Sequence, residues 1–212
     1  MRGRLRDELG IDPGELEIAY AHVEEATDPR MAAALRNCLG YTAVYQRRYR
    51  QSRAYLTEAL DLSRRRLDPG EEARALTALG AVDLSVGEGG RAIAHVTAAM
   101  ALSRRLLNGW VTSMALVVLG LAHQFEGRNE EALVCFADAQ THAETDGRPR
   151  VLGRTLTCAA DAHLRLGHYG EAKSRFRQAV ELGEQVGDIF LCARSLTGSA
   201  RQSEARETRP RP

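Results

Sequence analysis

The sequence is poor in several kinds of residue that other classes of protein need. Aromatic residues make up only 5% of its 212 residues, although 44% are hydrophobic, so Ala, Leu and Val supply most of the apolar surface. Because sheets favour aromatic and β-branched side chains, this balance favours closely packed helices. Lys173 is the only lysine among 29 basic residues, a bias that we interpret as that of a GC-rich bacterial genome.

The chain also lacks an excess of charge and a long apolar run. Its formal net charge is +1, so bulk electrostatics does not draw it to nucleic acid or to an anionic membrane. No stretch approaches the roughly 18 apolar residues of a membrane span, and the charged start MRGRLRDELG does not fit a signal peptide. Cys38, Cys135, Cys158 and Cys192 form no CxxC pair, so we expect buried thiols in a cytoplasmic protein.

The sequence does contain an internal period of forty residues. Four columns of small and apolar residues recur without insertion or deletion. Column by column, these residues are Gly40, Gly80, Gly120 and Ala160; Ser52, Ala92, Ala132 and Ala172; Leu56, Val96, Phe136 and Phe176; and Ala59, Ala99, Ala139 and Ala179. Apolar residues three and four apart predict two amphipathic helices in each row, and small residues at the crossings let these helices pack closely.

Short polar residues stand just before most first helices. These residues are Asp28, Asp68, Asn108 and Asp188. Their side chains are expected to accept a hydrogen bond from an unpaired N–H in the first helical turn, which stabilises a helix by about 1 kcal/mol. Arg148 interrupts this column, and we expect Asp146 to cap that helix instead.

Two features suggest a nucleotide or a nucleic acid as the ligand. The first is VGEGGRA at 86–92, but Gly87 shares its column with Gly127 and Gly167, whereas a phosphate loop follows a strand and occurs once. We therefore expect turns between paired helices, where glycine tolerates positive φ. The second is a set of arginines at the ends of second helices, which complement the helix dipole, with a nucleic-acid patch as the alternative. These are Arg64, Arg65, Arg66, Arg104 and Arg105.

The pattern resembles the tetratricopeptide repeat (TPR) family over roughly residues 31–203. That family has Leu-Gly in the first helix and A-x-x-x-F-x-x-A in the second, as in ALVCFADA at 132–139. The resemblance implies an all-α, right-handed superhelical solenoid of antiparallel helix pairs. The sequence departs from the family in its longer period and in the first-helix column of Ala43, Asp83, His123 and His163, which lacks a large aromatic residue.

The domain organisation follows from the repeat. We expect an N-terminal half-repeat at 1–30, four repeats within 31–190 (31–68, 69–108, 109–148 and 149–188), a final unpaired helix at 189–203, and a disordered tail at 204–212. Incomplete terminal repeats expose apolar faces, which predicts cover by a partner, by another domain, or by a homodimer through these ends.

The segment LRDELGIDPGEL at 5–16 resembles the end of a bacterial transcriptional activator domain. That domain occurs in regulators of antibiotic-pathway genes, some of which continue into an ATPase module and a TPR tail. The sequence contains neither the winged helix nor a GxxxxGK[ST] loop, so this resemblance implies a regulatory context without placing any regulatory chemistry here.

No catalytic, metal or cofactor site is expected. Asp83, His123 and His163 would lie on successive first helices about 8–10 Å apart, whereas zinc needs three or more ligands at about 2 Å. We therefore expect them to be polar residues hydrogen-bonded between helices. No triad-like arrangement of nucleophile and base is present.

We expect instead a binding groove on the first helices. Its lining is carried over from the TPR resemblance row by row: Asn37, Tyr41, Arg74, Thr77, Val117, Leu121, Gln124, Arg154, Thr157, Asp161, Arg194 and Thr197. Basic flanks and an apolar centre suit a peptide with acidic residues, and a solvated face without a ligand is the alternative. Two functions follow: a non-enzymatic protein-interaction scaffold in a bacterial transcription-regulatory or signalling system, or a sensory module for a small peptide or metabolite.

Overall fold

The computed structural model describes residues 29–106 and 108–207, and these form helices joined by short turns, with no strand among them. We number the helices α1 (Pro29–Tyr45), α2 (Tyr49–Arg65), α3 (Pro69–Ser85), α4 (Gly89–Leu106), α5 (Gly109–Phe125), α6 (Asn129–Thr145), α7 (Pro149–Leu166), α8 (Tyr169–Val186) and α9 (Ile189–Glu207). First and second helices each recur every forty residues. The expected all-α fold of helix pairs is confirmed.

The ends of the chain differ from the predicted boundaries or lie beyond the described residues. The expected half-repeat before residue 29, the segment LRDELGIDPGEL and Asp28 lie outside them. At the other end α9 continues to Glu207, past the predicted helix end at residue 203, so a disordered tail stays a prediction for 208–212 only. A homodimer through the terminal repeats likewise stays a prediction.

Three of the side-chain caps that the sequence predicts are present at helix N-termini. The Oδ1 atoms of Asp68, Asn108 and Asp188 accept hydrogen bonds of 3.0–3.3 Å from backbone N–H groups two or three residues onward. The expectation for Asp146 is wrong, because Asp146 closes α6 and its own N–H donates to a carbonyl of that helix. Helix α7 begins at Pro149 without a side-chain cap, and proline at this position lacks the N–H that a cap would satisfy.

The turns between paired helices have the geometry that their glycines predict. Gly87, Gly127 and Gly167 have φ of 86°, 80° and 78°, in the left-handed region where a residue without Cβ is unstrained. Within residues 29–106 and 108–207, two non-glycine residues also adopt this conformation, Arg47 at φ 58° and Leu67 at φ 53°. Non-glycine residues pay roughly 1–2 kcal/mol there.

The recurring glycines mark close contacts between the two helices of a repeat. A Cβ built on Gly80 would lie 2.8 Å from Val96 Cγ1, and one on Gly120 would lie 2.5 Å from the Phe136 ring. In both repeats the large residue stands sixteen positions after the glycine, so the repeat places a small residue opposite a bulky one. The predicted role of this column in helix packing is confirmed.

The chain divides into two compact units, Met1–Val118 and Leu119–Pro212, with the boundary inside α5. In the first unit α1 to α4 pack in succession, α1 also contacts α3, and Leu56, Leu76 and Val82 lie in the core. In the second unit α6 to α9 pack in succession, α7 also contacts α9, and Leu156 and Phe176 lie in its cores. Each unit therefore packs first helices directly against one another, which brings their side chains onto one face.

Candidate functional site

The first unit gathers five polar and aromatic side chains on its first helices. Helix α1 supplies Asn37 and Tyr41, α3 supplies Glu71 and Arg74, and the first turn of α5 supplies Trp110. We call these five residues the Arg74 cluster. Because α1 packs on α3, side chains on the facing surfaces of these two helices come within hydrogen-bonding reach.

The guanidinium of Arg74 is held on two sides. Its Nη1 donates to Glu71 Oε1 at 3.2 Å, and its Cζ lies 4.8 Å from the centroid of the Trp110 ring, a cation–π contact. Asn37, only 2% exposed, fixes Glu71 in turn, since Nδ2 donates to Oε2 at 2.8 Å and to the Glu71 carbonyl at 3.1 Å. The Arg74 side chain remains 40% exposed.

This arrangement presents a pre-oriented arginine fork to solvent. A guanidinium has five N–H donors in one plane, so the ones not used by Glu71 can bind a carboxylate in a directed way. The carboxylate of Glu71 offsets the positive charge, and the face is therefore less basic than the sequence predicts. Beneath it, burial raises the pKa of the Cys38 thiol, and nearby Arg74 acts in the opposite direction.

The second unit has a smaller set of polar contacts between α7 and α9. The hydroxyls of Thr157 and Ser195 are 2.9 Å apart and both side chains are buried. Beside them the exposed Arg194 donates from Nη2 to the Sγ atom of Cys158 at 3.4 Å. The second unit therefore also presents an arginine that is anchored on the preceding first helix.

Five predicted groove residues are buried and do not contact solvent. Asn37, Thr77, Val117, Gln124 and Thr157 are at most 7% exposed. Both threonine hydroxyls donate to the backbone carbonyl four residues earlier in the same helix, so they serve the fold. The expectation that these side chains line an open groove is corrected, because their positions point into the contacts between packed helices.

The other predicted groove residues are accessible to different degrees. Tyr41, Leu121, Arg154 and Asp161 are half-buried, and Thr197 is exposed with its hydroxyl donating to the Ala193 carbonyl. Tyr41 also donates to the backbone carbonyl of Arg74, at 3.4 Å. The accessible predicted residues in the first unit are thus Tyr41 and Arg74, both members of the Arg74 cluster.

In the column of Asp83, His123 and His163, Asp83 contacts the second helix of its own repeat and that of the preceding repeat. Asp83 has no exposed surface, and its carboxylate lies 2.6 Å from His95 Nδ1 and 2.7 Å from Arg53 Nη1. Burial lowers the pKa of His123 and of His163, which favours neutral imidazoles. Across residues 29–106 and 108–207 no three His, Cys, Asp or Glu side chains converge as metal ligands. Asp83 therefore has the interhelical hydrogen bond that the sequence predicts for this column. The prediction is wrong for the Nδ1 atoms of His123 and His163, which are buried and have no hydrogen-bond partner among the described residues.

Sequence reasoning missed two partners in these clusters. His95 had no assigned partner, yet it follows Asp83 by twelve residues, the same spacing that separates Gly80 from Ala92 across one helix pair. Trp110 was also missed, although it follows Arg74 by almost one repeat, as Arg194 follows Cys158. Spacings of twelve and of roughly one repeat therefore identify facing positions in this chain.

Comparison with known proteins agrees with this architecture. Residues 32–70 match the family model of the tetratricopeptide repeat. Among solved structures, the chain is similar to a putative kinesin light chain of Podospora anserina with nearly identical TPR-like repeats, with a TM-score of 0.59, 14% identity, and coverage of 86% of this chain and 93% of that one. The chain thus has a TPR-like fold.

Two further structures have the same TPR-like fold. Aspartyl phosphate phosphatase F from Bacillus subtilis aligns with a TM-score of 0.72 and 15% identity, covering 91% of this chain and 52% of that chain. A Rap protein in complex with competence and sporulation factor aligns with a TM-score of 0.79 and 14% identity, covering 92% and 58%. The chain thus spans between half and three fifths of the length of these two proteins.

Identities this low show the fold alone. No curated protein matches the sequence. None of the helices in the described residues is both long and apolar enough to cross a membrane.

Proposed function

We propose that the chain is a non-enzymatic scaffold that binds a protein or peptide segment on its first helices. The observation that supports this most is the Arg74 guanidinium, which Glu71 and Trp110 hold in one orientation while two fifths of the side chain stays exposed. An arginine that is ordered before binding loses less side-chain entropy when a ligand arrives. On a solvated face that binds no ligand, ordering the Arg74 side chain in advance would have no effect on binding.

The ligand chemistry follows from the groups in the Arg74 cluster. A carboxylate fits the remaining N–H donors of Arg74, and an apolar side chain fits the ring surfaces of Trp110 and Tyr41. We therefore propose a segment in which an acidic residue stands near an apolar one. In the second unit, exposed Arg194 offers a separate contact of the same kind.

The context we propose is a bacterial transcription-regulatory or signalling system in the cytoplasm. The resemblance of residues 5–16 to the end of an activator domain supports the regulatory context. A similar structure is that of a Rap protein complexed with competence and sporulation factor, which also supports a binding role. All four cysteines carry free thiols, which fits a reducing compartment.

A peptide selection tests the proposed binding. A phage-displayed library of short random peptides is selected on the full chain, and the recovered peptides are then measured against Arg74→Glu. The control is Arg104→Glu, which makes the same charge change at an exposed arginine of α4 that has no ion pair in the described structure. We expect peptides rich in Asp or Glu that bind the wild type and the control but not Arg74→Glu.

Two outcomes contradict the proposal. If no peptide is enriched, or if the enriched peptides bind Arg74→Glu as well as the wild type, the Arg74 cluster is not a peptide site. Native mass spectrometry of the chain purified from its host distinguishes the alternative function, since a bound low-mass compound favours a sensory module and a stoichiometric protein favours the scaffold.

A further inference from the structure

The turn between α1 and α2 carries three arginines for which the described residues supply no acidic partner. Arg47, Arg48 and Arg50 are exposed, and none of them forms an ion pair with any residue in 29–106 or 108–207. A few positions further on, Arg53 is paired with buried Asp83 at 2.7 Å. At this end of α2 the unpaired positive charge is thus concentrated in the turn, which we call the Arg47 turn (residues 47–50).

The local backbone adds to this positive charge. Helix α2 begins at Tyr49, and the partial positive charge of a helix N-terminus favours an anion there. The first turn of α2 contains no acidic residue, and the side chain of Arg48 at the N-cap position does not cap the helix. An anion from another molecule would therefore relieve repulsion that the described residues leave in place.

The equivalent turns of the second and third repeats contain ion pairs. After α3, Glu88 Oε2 accepts a 2.6 Å hydrogen bond from Arg91, and after α5, Glu126 pairs with Arg128. Position 47 also differs, because Arg47 has a φ of 58° whereas the equivalent residue in the other repeats is glycine. The first repeat thus keeps a charged side chain at a position that costs roughly 1 kcal/mol or more.

The surface around these arginines can accommodate an extended segment. An open cleft of about 640 Å³ is lined by Arg47, Arg48, Tyr49, Arg50, Gln51 and Ala54. Tyr49 and Ala54 offer apolar surface in the cleft, and the arginine forks stand beside them. A ligand with carboxylates next to a small apolar side chain matches this combination.

We propose that the Arg47 turn is a second docking surface, which binds a carboxylate-rich segment of a partner protein. It is separate from the Arg74 cluster, because the two lie toward opposite ends of the parallel first helices, at positions about 20 Å apart along the helix axis. Charge complementarity favours an acidic protein segment over nucleic acid. The chain has a net charge of only +1, and three arginines make too few phosphate contacts for useful nucleic-acid affinity.

Fluorescence anisotropy with a defined probe tests this surface. The probe is a short fluorescein-labelled peptide of Glu-Glu-Leu repeats, with the Gln-Gln-Leu version as the uncharged comparison. The variant is R47Q/R48Q/R50Q, and the matched control is R65Q/R104Q/R105Q, which removes the same charge from exposed arginines elsewhere. Circular dichroism establishes that both triple variants keep the helical fold.

We expect the Glu-Glu-Leu peptide to bind the wild type and the control, with affinity that falls as salt is added. R47Q/R48Q/R50Q should bind about tenfold more weakly, as expected from the loss of three surface ion pairs. The same loss should appear when these three substitutions are made in R74E, in which the Arg74 cluster no longer accepts a carboxylate. Equal loss in both triple variants overturns the proposal, because the effect is then one of net charge. Loss in R74E alone also overturns it and assigns the peptide to the Arg74 cluster. Tighter binding of an oligothymidylate of equal charge, lost in R47Q/R48Q/R50Q, overturns it in favour of nucleic acid.

Discussion

The buried carboxylate of Asp83 lies 2.6 Å from Nδ1 of His95, across the two helices of one repeat. Its other oxygen forms a close ion pair with Arg53 on the preceding second helix, at 2.7 Å, without the alignment of a hydrogen bond. A buried carboxylate with two basic neighbours thus connects three successive helices of the first unit.

Asp83→Asn should destabilise the first unit. The substitution removes the negative charge that faces Arg53 and His95, and the amide cannot satisfy both neighbours. Breaking a fully buried pair costs about 3–5 kcal/mol, but these basic side chains are nearly three quarters buried and can regain some water, so we expect about 2 kcal/mol. Urea unfolding followed by the fluorescence of Trp110 measures the loss. The control is Asp61→Asn, at an exposed position of α2. An equal effect of the two substitutions would contradict the proposed role of Asp83.

Gly120→Ala should destabilise the second unit by about 1–3 kcal/mol. The new Cβ would lie within 2.5–2.9 Å of three atoms of the Phe136 ring, which is rigid and fully buried, so α5 and α6 must separate. Gly90→Ala is the matched comparison, because a Cβ there meets nothing within 4 Å. Thermal unfolding by circular dichroism should show a lower Tm for Gly120→Ala and an unchanged or slightly higher Tm for Gly90→Ala. A Tm equal to that of the wild type for Gly120→Ala would show that the helices are not in close contact.

The stability of the second unit should fall as the pH falls below neutrality. Burial lowers the pKa of His123 and His163 in the folded chain, whereas in the unfolded chain both titrate near the usual value of about 6.5. Below that pH the unfolded state binds more protons than the folded state, so the free energy of unfolding decreases. Above it both states are neutral and these histidines add no pH dependence.

Urea midpoints at several pH values check this expectation. The double variant H123Q/H163Q should lose less stability than the wild type between neutral pH and mildly acidic pH. His142→Gln, which replaces an exposed histidine of α6, serves as the control. A double variant with the same pH dependence as the wild type would mean that these two histidines do not lose protonation on folding.

Much of the fold is predictable from the sequence because it depends on local and repeated features. The caps at Asp68, Asn108 and Asp188 and the turns at Gly87, Gly127 and Gly167 each need one residue type at one backbone position. The prediction that Asp146 caps α7 was wrong because Asp146 stands two positions before the cap position and belongs to the end of α6.

The candidate site was less predictable because it depends on contacts between repeats. A column position indicates which way a side chain points on its helix, but not whether the next first helix covers it. Thr77 and Thr157 stand beside Arg74 and Arg154 in the sequence, yet both threonines are buried. Likewise, the stacking of Trp110 on Arg74 depends on the offset between neighbouring first helices, which a period alone does not specify.

The central claim is that the first-helix face around Arg74 binds a peptide, and Trp110 fluorescence tests it most directly. Trp110 is the only tryptophan in the chain and its ring lies 4.8 Å from the Arg74 guanidinium, so a carboxylate that pairs with Arg74 should change its emission. We predict that an acidic peptide selected on the chain gives a saturable change in the wild type and in Arg104→Glu, and none in Arg74→Glu. Saturable binding that leaves Trp110 emission unchanged, or an equal response from Arg74→Glu, would contradict the account.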